Sequence, residues 1–217
     1  MVQLRSIVVA SMAVAAISVS ATAYASPANH VVADYGSISV PFTRTIGNAF
    51  TGTTASGFVS QDGTPVVTAT VGSLSYFYDD YLFTLPTEPL VSFNAAAVTL
   101  DLANFLSLQN FSARLYKLDS GVASLTTGLP SSGTPAKPWT SSPLLGPGFS
   151  GTTVLFENVA LQAGATYALE FRGTIAGAFG GSYGGNLNIV PVPEPTSASL
   201  VLASIGVLGL LARRRRG

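Results

Sequence analysis

The chain has 217 residues, 47% of them hydrophobic and only 9% charged, with a formal net charge of zero. It contains no cysteine and a single histidine, which excludes disulfides, thiolate catalysis, cysteine-ligated zinc, iron–sulfur clusters and histidine-rich metal sites. In the body, Arg44, Arg114, Lys117, Lys137 and Arg172 stand against nine acidic residues, a balance of −4. That lacks the basic stripe that phosphate backbones require, so nucleic acid is not an expected partner.

Residues 1–25 read as a secretory signal peptide. Arg5 supplies the positive start, Ile7 to Val19 is an apolar run broken only by small serines, and Ala23-Tyr24-Ala25 forms a small-x-small cleavage pattern with Ser26 as the mature start. Signal peptidase is the partner this segment implies. The alternative, an N-terminal membrane anchor, suits the short run less well. His30 then falls a few residues into the mature chain, where a flexible segment is expected.

From residue 34 onward the pattern is strand and turn. Gln61-Asp62-Gly63-Thr64 separates Gly57-Phe58-Val59 from Pro65-Val66-Val67, a strong tight-hairpin signal. In Phe77-Tyr78-Asp79-Asp80-Tyr81-Leu82-Phe83, a two-residue period puts Phe77, Asp79, Tyr81 and Phe83 on one face, with Tyr78, Asp80 and Leu82 on the other. Asn94 to Leu108 suits a strand followed by a short helix. Phe111, Ala113 and Leu115 alternate with Ser112 and Arg114; Val154, Phe156 and Asn158 alternate in the same way; Tyr167, Leu169 and Phe171 oppose Glu170 and Arg172. Asp119-Ser120-Gly121 and Gln162-Ala163-Gly164 are turn candidates. Residues 128–151 form a long Gly/Pro/Ser-rich loop around Trp139, the only tryptophan. Trp139 either stacks on a sugar ring or covers the core. Several short strands with regular turns indicate an all-β fold, a single β-sandwich or jelly-roll-like domain over residues 26–189.

Few groups in this body could perform chemistry. A lone histidine near the mature N-terminus is a poor base for a Ser-His-Asp triad, which needs it buried and oriented. Asp79 and Asp80 are adjacent, so a strand sends them to opposite faces instead of converging them on a glycosidic bond. Asp79, Asp80 and Asp119 are hard oxygen ligands suited to calcium, but no Asp-x-Asp-x-Asp-Gly loop occurs. Asp79 on an aromatic face is expected to make structural hydrogen bonds to backbone amides at a sheet end. No catalytic residue, metal site or cofactor is therefore expected, and the protein reads as non-enzymatic.

The last segment, 190–217, has three parts: Pro193-Glu194-Pro195 within a proline-rich stretch, an apolar run from Thr196 to Ala212, and Arg213-Arg214-Arg215-Arg216. The run has 17 residues, which as a helix rise about 26 Å, near the roughly 30 Å of a bilayer core. The arginines after it place that end in the cytoplasm, leaving the body outside the inner membrane, as the signal peptide also requires. This order of parts resembles the PEP-CTERM sorting signal. The resemblance implies recognition by exosortase, a membrane-embedded transpeptidase-like enzyme, with cutting near the Pro-Glu-Pro and release or attachment at the surface of bacteria that make exopolysaccharide and biofilm. A permanent single-span anchor is the alternative.

Phe77, Asp79, Tyr81 and Phe83, followed by Leu85-Pro86, resemble the signature of the FxDxF family of PEP-CTERM proteins, with tyrosine where phenylalanine is usual at the third position. Leu161 to Tyr167, Arg172-Gly173-Thr174 and the glycine-rich Tyr183-Gly184-Gly185 fit the same family's habit. The resemblance implies a small secreted β-sandwich-like domain. The sequence thus points to an exported, non-enzymatic surface or matrix protein associated with exopolysaccharide. The alternative is a carbohydrate- or calcium-binding surface module.

Overall fold

A computed structural model describes residues 30–68, 75–102, 105–118, 134–146, 149–192, 201 and 203–205. The signal-peptide segment, the Asp119-Ser120-Gly121 turn and most of the C-terminal tail lie outside the described residues.

The strands in chain order are β1 (His30–Ser37), β2 (Phe42–Thr53), β3 (Gly57–Ser60), β4 (Val67–Thr68), β5 (Ser75–Thr84) and β6 (Val91–Asp101). They continue with β7 (Leu108–Lys117), β8 (Thr134–Thr140), β9 (Ser142–Gly146), β10 (Phe149–Leu161), β11 (Thr166–Ile175) and β12 (Gly180–Pro191). One sheet runs β1-β5-β11-β7-β8, with β4 also paired to β5; the other runs β3-β2-β12-β6-β10-β9. All pairings are antiparallel except β1 with β5. A parallel pair needs a crossover, and here β2 and β3 in the opposite sheet supply it.

The two sheets pack face to face because strands such as β6 alternate buried with more exposed residues, while the central β5 and β11 are buried on both faces over much of their length. Phe111, Ala113 and Leu115 point inward from β7, and Tyr167, Leu169 and Phe171 from β11, all of them buried. Aromatic rings bridge the sheets: Phe50 lies 4.4 Å from Phe77, Phe83 lies 5.9 Å from Phe93, and Phe111 lies 5.1 Å from Tyr183, centroid to centroid. Such pairs add about 0.5–1.5 kcal/mol each beyond area burial. This aromatic layer holds a disulfide-free domain together.

The turns follow their residues. Gly63 at φ 87° closes the Asp62-Gly63 hairpin, with Ser60 N donating to Thr64 O at 2.8 Å. Gly164 at φ 72° closes the turn between β10 and β11.

Three expectations are corrected. Residues 94–101 are strand, but no helix follows among the described residues; Leu102 N donates to Leu106 O at 2.9 Å in a tight reversal instead. Asn158 does not continue the inward face of β10. Its φ is 50°, the register shifts between Phe156 and Val159, and Val159 turns inward in its place. This is a β-bulge, pinned where Asn158 N donates to Asn94 Oδ1 at 2.8 Å.

The third concerns the long loop read at 128–151. Its described part holds β8, β9 and the start of β10, with only Ser141 between β8 and β9. β8 is the edge of one sheet and β9 the edge of the other, so the chain switches sheets there. The prolines that suggested a loop, Pro135, Pro138 and Pro143, are tolerated because an edge strand can spare donors.

Candidate functional site

β5 carries the aromatic-acidic motif in mid-sheet, flanked by β1 and β11. Phe77, Asp79, Tyr81 and Phe83 all point into the core, 4%, 0%, 2% and 0% exposed. A carboxylate in such surroundings is costly unless it is fully hydrogen-bonded. Asp79 Oδ2 accepts from Asn48 Nδ2 at 2.9 Å and from the Tyr183 hydroxyl at 2.8 Å. Its Oδ1 lies 3.1 Å from His30 Nδ1. These partners come from β2, β12 and β1, so one carboxylate ties the opposing sheet and the first strand to β5.

The expected backbone amides at a sheet end are not its partners. In mid-strand the neighbouring amides are engaged in the ladders with β1 and β11, so side chains reach it instead, Asn48 and Tyr183 across the core and His30 from the adjacent strand. Ser60 fixes the Asn48 amide by donating to Oδ1 at 2.9 Å, and Gln61 N donates to the same oxygen at 3.2 Å. Tyr81 completes the layer. Its hydroxyl donates to Gly47 O and accepts from Gly47 N, both at 2.8 Å, and sits 3.3 Å from the Tyr183 hydroxyl. Tyrosine in the third position of the motif thus gives a hydrogen-bonded tie to β2 that phenylalanine could not make. Burial pushes both tyrosine hydroxyls above their ordinary range, keeping them neutral donors.

His30 is the largest departure from the sequence reading. It opens β1, opposite Asp79 in the parallel pairing, with a side chain only 17% exposed. Nε2 lies 2.7 Å from Asp62 Oδ2 while Nδ1 faces Asp79, so the ring bridges an exposed and a buried carboxylate. The hydrogen bond to Asp79 raises its pKa, burial opposes, Asp62 adds to the rise, and the result is about 9. Asp62 is lowered to about 2, chiefly by the Thr64 backbone amide and then by His30. An imidazolium donating from both nitrogens has none left to deprotonate a serine hydroxyl, so this geometry is that of an ion-pair bridge, not of a hydrolytic triad. The sequence held a modest signal for it: Val31 and Val32 start a β-prone run at that point.

The other face of β5 behaves differently. Asp80 lies opposite Glu170 on β11, and Glu170 opposite Arg114 on β7. Both carboxylates are fully buried, and Arg114 Nε donates to Glu170 Oε2. Sealed from solvent, Asp80 and Glu170 cannot reach the oxygen of a bound glycoside as arranged. The next row is Tyr78, Arg172 and Ser112, where Arg172 Nε donates to Ser112 Oγ at 3.0 Å.

Trp139, on β8, packs against this face. The guanidinium carbons of Arg114 and Arg172 lie 4.4 and 3.9 Å from its ring centroid. Beyond Arg172 opens a groove of about 310 Å³ lined by Tyr76, Tyr78, Asn110, Arg172, Gly173 and Thr174. Sequence reasoning singled out Trp139 but not this groove, because Asn110 reaches it through an irregularity: its φ is 54° and the β7–β11 register shifts beside it.

Among the described residues no group of three histidines or carboxylates could hold a metal ion. Asp79 and Asp80 are on opposite faces, and Asp119 lies outside the described residues.

The sorting residues Pro193, Glu194, Pro195, Arg213, Arg214, Arg215 and Arg216 also lie outside the described residues, as do Ala23 and Ala25. Val201 and residues 203–205 are helical; among the described residues no helix is long and apolar enough to cross a membrane. No curated protein and no solved structure matches the chain. One family model does, the PEP-CTERM protein-sorting motif, over residues 191–216, starting at the last residue of β12. The chain therefore carries a PEP-CTERM sorting motif directly behind a two-sheet β domain, which implies processing by exosortase, export and transient membrane anchoring.

Proposed function

We propose that the protein is a non-enzymatic structural component of the extracellular matrix, delivered by signal peptidase and exosortase and retained among exopolysaccharide in a biofilm. The observation that carries this reading is the sorting motif joined without a linker to a β-sandwich, since β12 ends at Pro191 where the motif begins. The groups that could have suggested catalysis support it as well. His30 gives both nitrogens to carboxylates, and Asp79, Asp80 and Glu170 are fully buried. The placement of Phe77, Asp79, Tyr81 and Phe83 as one inward face gives the FxDxF signature a physical meaning. The motif is a core layer with one carboxylate stapling three strands, and the family assignment belongs to this proposal.

Deleting the gene in the native host tests the reading. Loss of matrix cohesion or of retained exopolysaccharide, restored by the wild-type chain and by a variant carrying Asp80→Asn, is the expected result. An intact matrix in the deletion strain would overturn it.

A further inference from the structure

The groove beyond Trp139 gathers a cation, two phenol rings and an amide. Arg44 packs over Phe42 and donates to a backbone carbonyl, and Arg114 is committed to buried Glu170. Arg172 is different. Its Nε donates to Ser112 Oγ, its guanidinium carbon lies 3.9 Å from the Trp139 ring centroid, and the residue lines the groove. With Nε taken by Ser112, the two terminal nitrogens carry the remaining donors of the fork. Asp80 and Glu170 lie one row away, but they are closed off from solvent while Arg172 lines the groove.

The rest of the lining suits a polar ring more than a bare ion. Tyr78 lies opposite Arg172, and Tyr76 opposite Thr174, so two half-buried phenols stand two residues apart along β5. Gly173, between them, lines the groove with its backbone; its Cβ direction faces the core, where Phe77 lies 2.8 Å from where a Cβ would sit. Asn110 is exposed and, at φ 54°, presents an amide able to donate and accept at once. A volume of about 310 Å³ is at the small end of ligand sites, room for about one or two sugar rings.

We propose that this groove binds a carboxylate-bearing saccharide, with Arg172 clamping the carboxylate, Tyr76 and Tyr78 packing on the sugar, and Asn110 bonding its hydroxyls. Arginine's planar fork matches a carboxylate in two parallel hydrogen bonds, which an ammonium group cannot reproduce. Phenol rings give apolar faces for the sugar's C–H groups and hydroxyls for its rim. The proposal deepens the matrix reading by naming the chemical class of polymer the domain would hold. It rests on that reading only for where such a polymer is met.

The test is calorimetric titration of the full-chain protein in detergent with a tetrasaccharide of uronic acid residues, the same tetrasaccharide with its carboxyls reduced to alcohols, and inorganic phosphate. The uronate is expected to bind at least about tenfold more tightly than its reduced counterpart, and Arg172→Lys to remove that preference. Asn110→Gly is expected to weaken binding several-fold with an unchanged melting temperature, because glycine adopts the positive φ freely. Equal affinity for the two tetrasaccharides, phosphate binding as strong as the uronate, or no binding at all would each overturn the proposal. Because the assay uses purified protein, its failure leaves the matrix reading to be judged by the deletion strain.

Discussion

His30 and Asp79 face each other across the parallel pairing of β1 and β5, with Nδ1 3.1 Å from Oδ1 and the carboxylate completely buried. The first strand of the domain is thereby fastened to the centre of its aromatic core by one charged hydrogen bond, and Asp62 holds the other side of the same ring. Removing one partner of a buried pair strands the other charge, a loss of about 3–5 kcal/mol. Partial exposure of His30 places His30→Ala at the lower end, about 3 kcal/mol, measured by urea denaturation. Amide exchange of residues 31–37 should quicken with it, since β1 is an edge strand held along one side.

The same bridge sets a pH window. His30 has a raised folded pKa of about 9 against 6.5 unfolded, so its stabilisation is complete below 6.5 and disappears as pH rises through 9. Asp62 has a lowered folded pKa of about 2 against 3.8, so its share is present above 3.8 and is lost as pH falls through 2. The melting temperature of the wild type should therefore exceed that of His30→Gln most clearly between about pH 4 and 6.5. The two should draw together above pH 9; a gap independent of pH would refute the bridge.

Asp79→Asn keeps the shape of the side chain but leaves the His30 imidazolium without its buried counter-charge. The His30 pKa should then fall from about 9 towards 6.5, followed by NMR titration of the ring protons. Tyr183→Phe removes one donor from the carboxylate, which for a hydrogen bond to a charged group is worth about 1.5–3 kcal/mol.

The glycines of β12 are unequal. A Cβ at Gly185 would fall 1.9 Å from Ala96 O and 2.7 Å from Ala97 Cα, against a neighbouring strand that cannot yield. Gly185→Ala should destabilise by about 3 kcal/mol or more. At Gly184 nothing lies within 4 Å, so Gly184→Ala should stay within about 0.5 kcal/mol of the wild type. Thermal unfolding of the pair separates close packing from a general need for flexible residues.

Much of this architecture was legible because alternation is a local property. The faces of β5, β7 and β11 follow from period two, and the Asp62-Gly63 and Ala163-Gly164 turns from residues that favour them. What escaped was created by distant contacts. His30 looked terminal because its two partners lie 32 and 49 residues away. Pro135, Pro138 and Pro143 looked like loop residues because sequence does not show which strands are edges. The bulges at Asn110 and Asn158 break the alternation with residues that tolerate positive φ, and one of them builds the groove. Asp79's partners could not be inferred either, for Asn48 and Tyr183 are joined to it only by the packing of two sheets.

The proposed function depends first on export followed by removal of the sorting tail. Intact-mass and terminal-peptide mapping of the protein from its native host, fraction by fraction, tests it most directly. A mature form in the envelope or medium, starting near Ser26, ending near Pro193-Glu194-Pro195 and lacking Arg213–Arg216, is the expected result. A chain that keeps those arginines and resides in the inner membrane would contradict it.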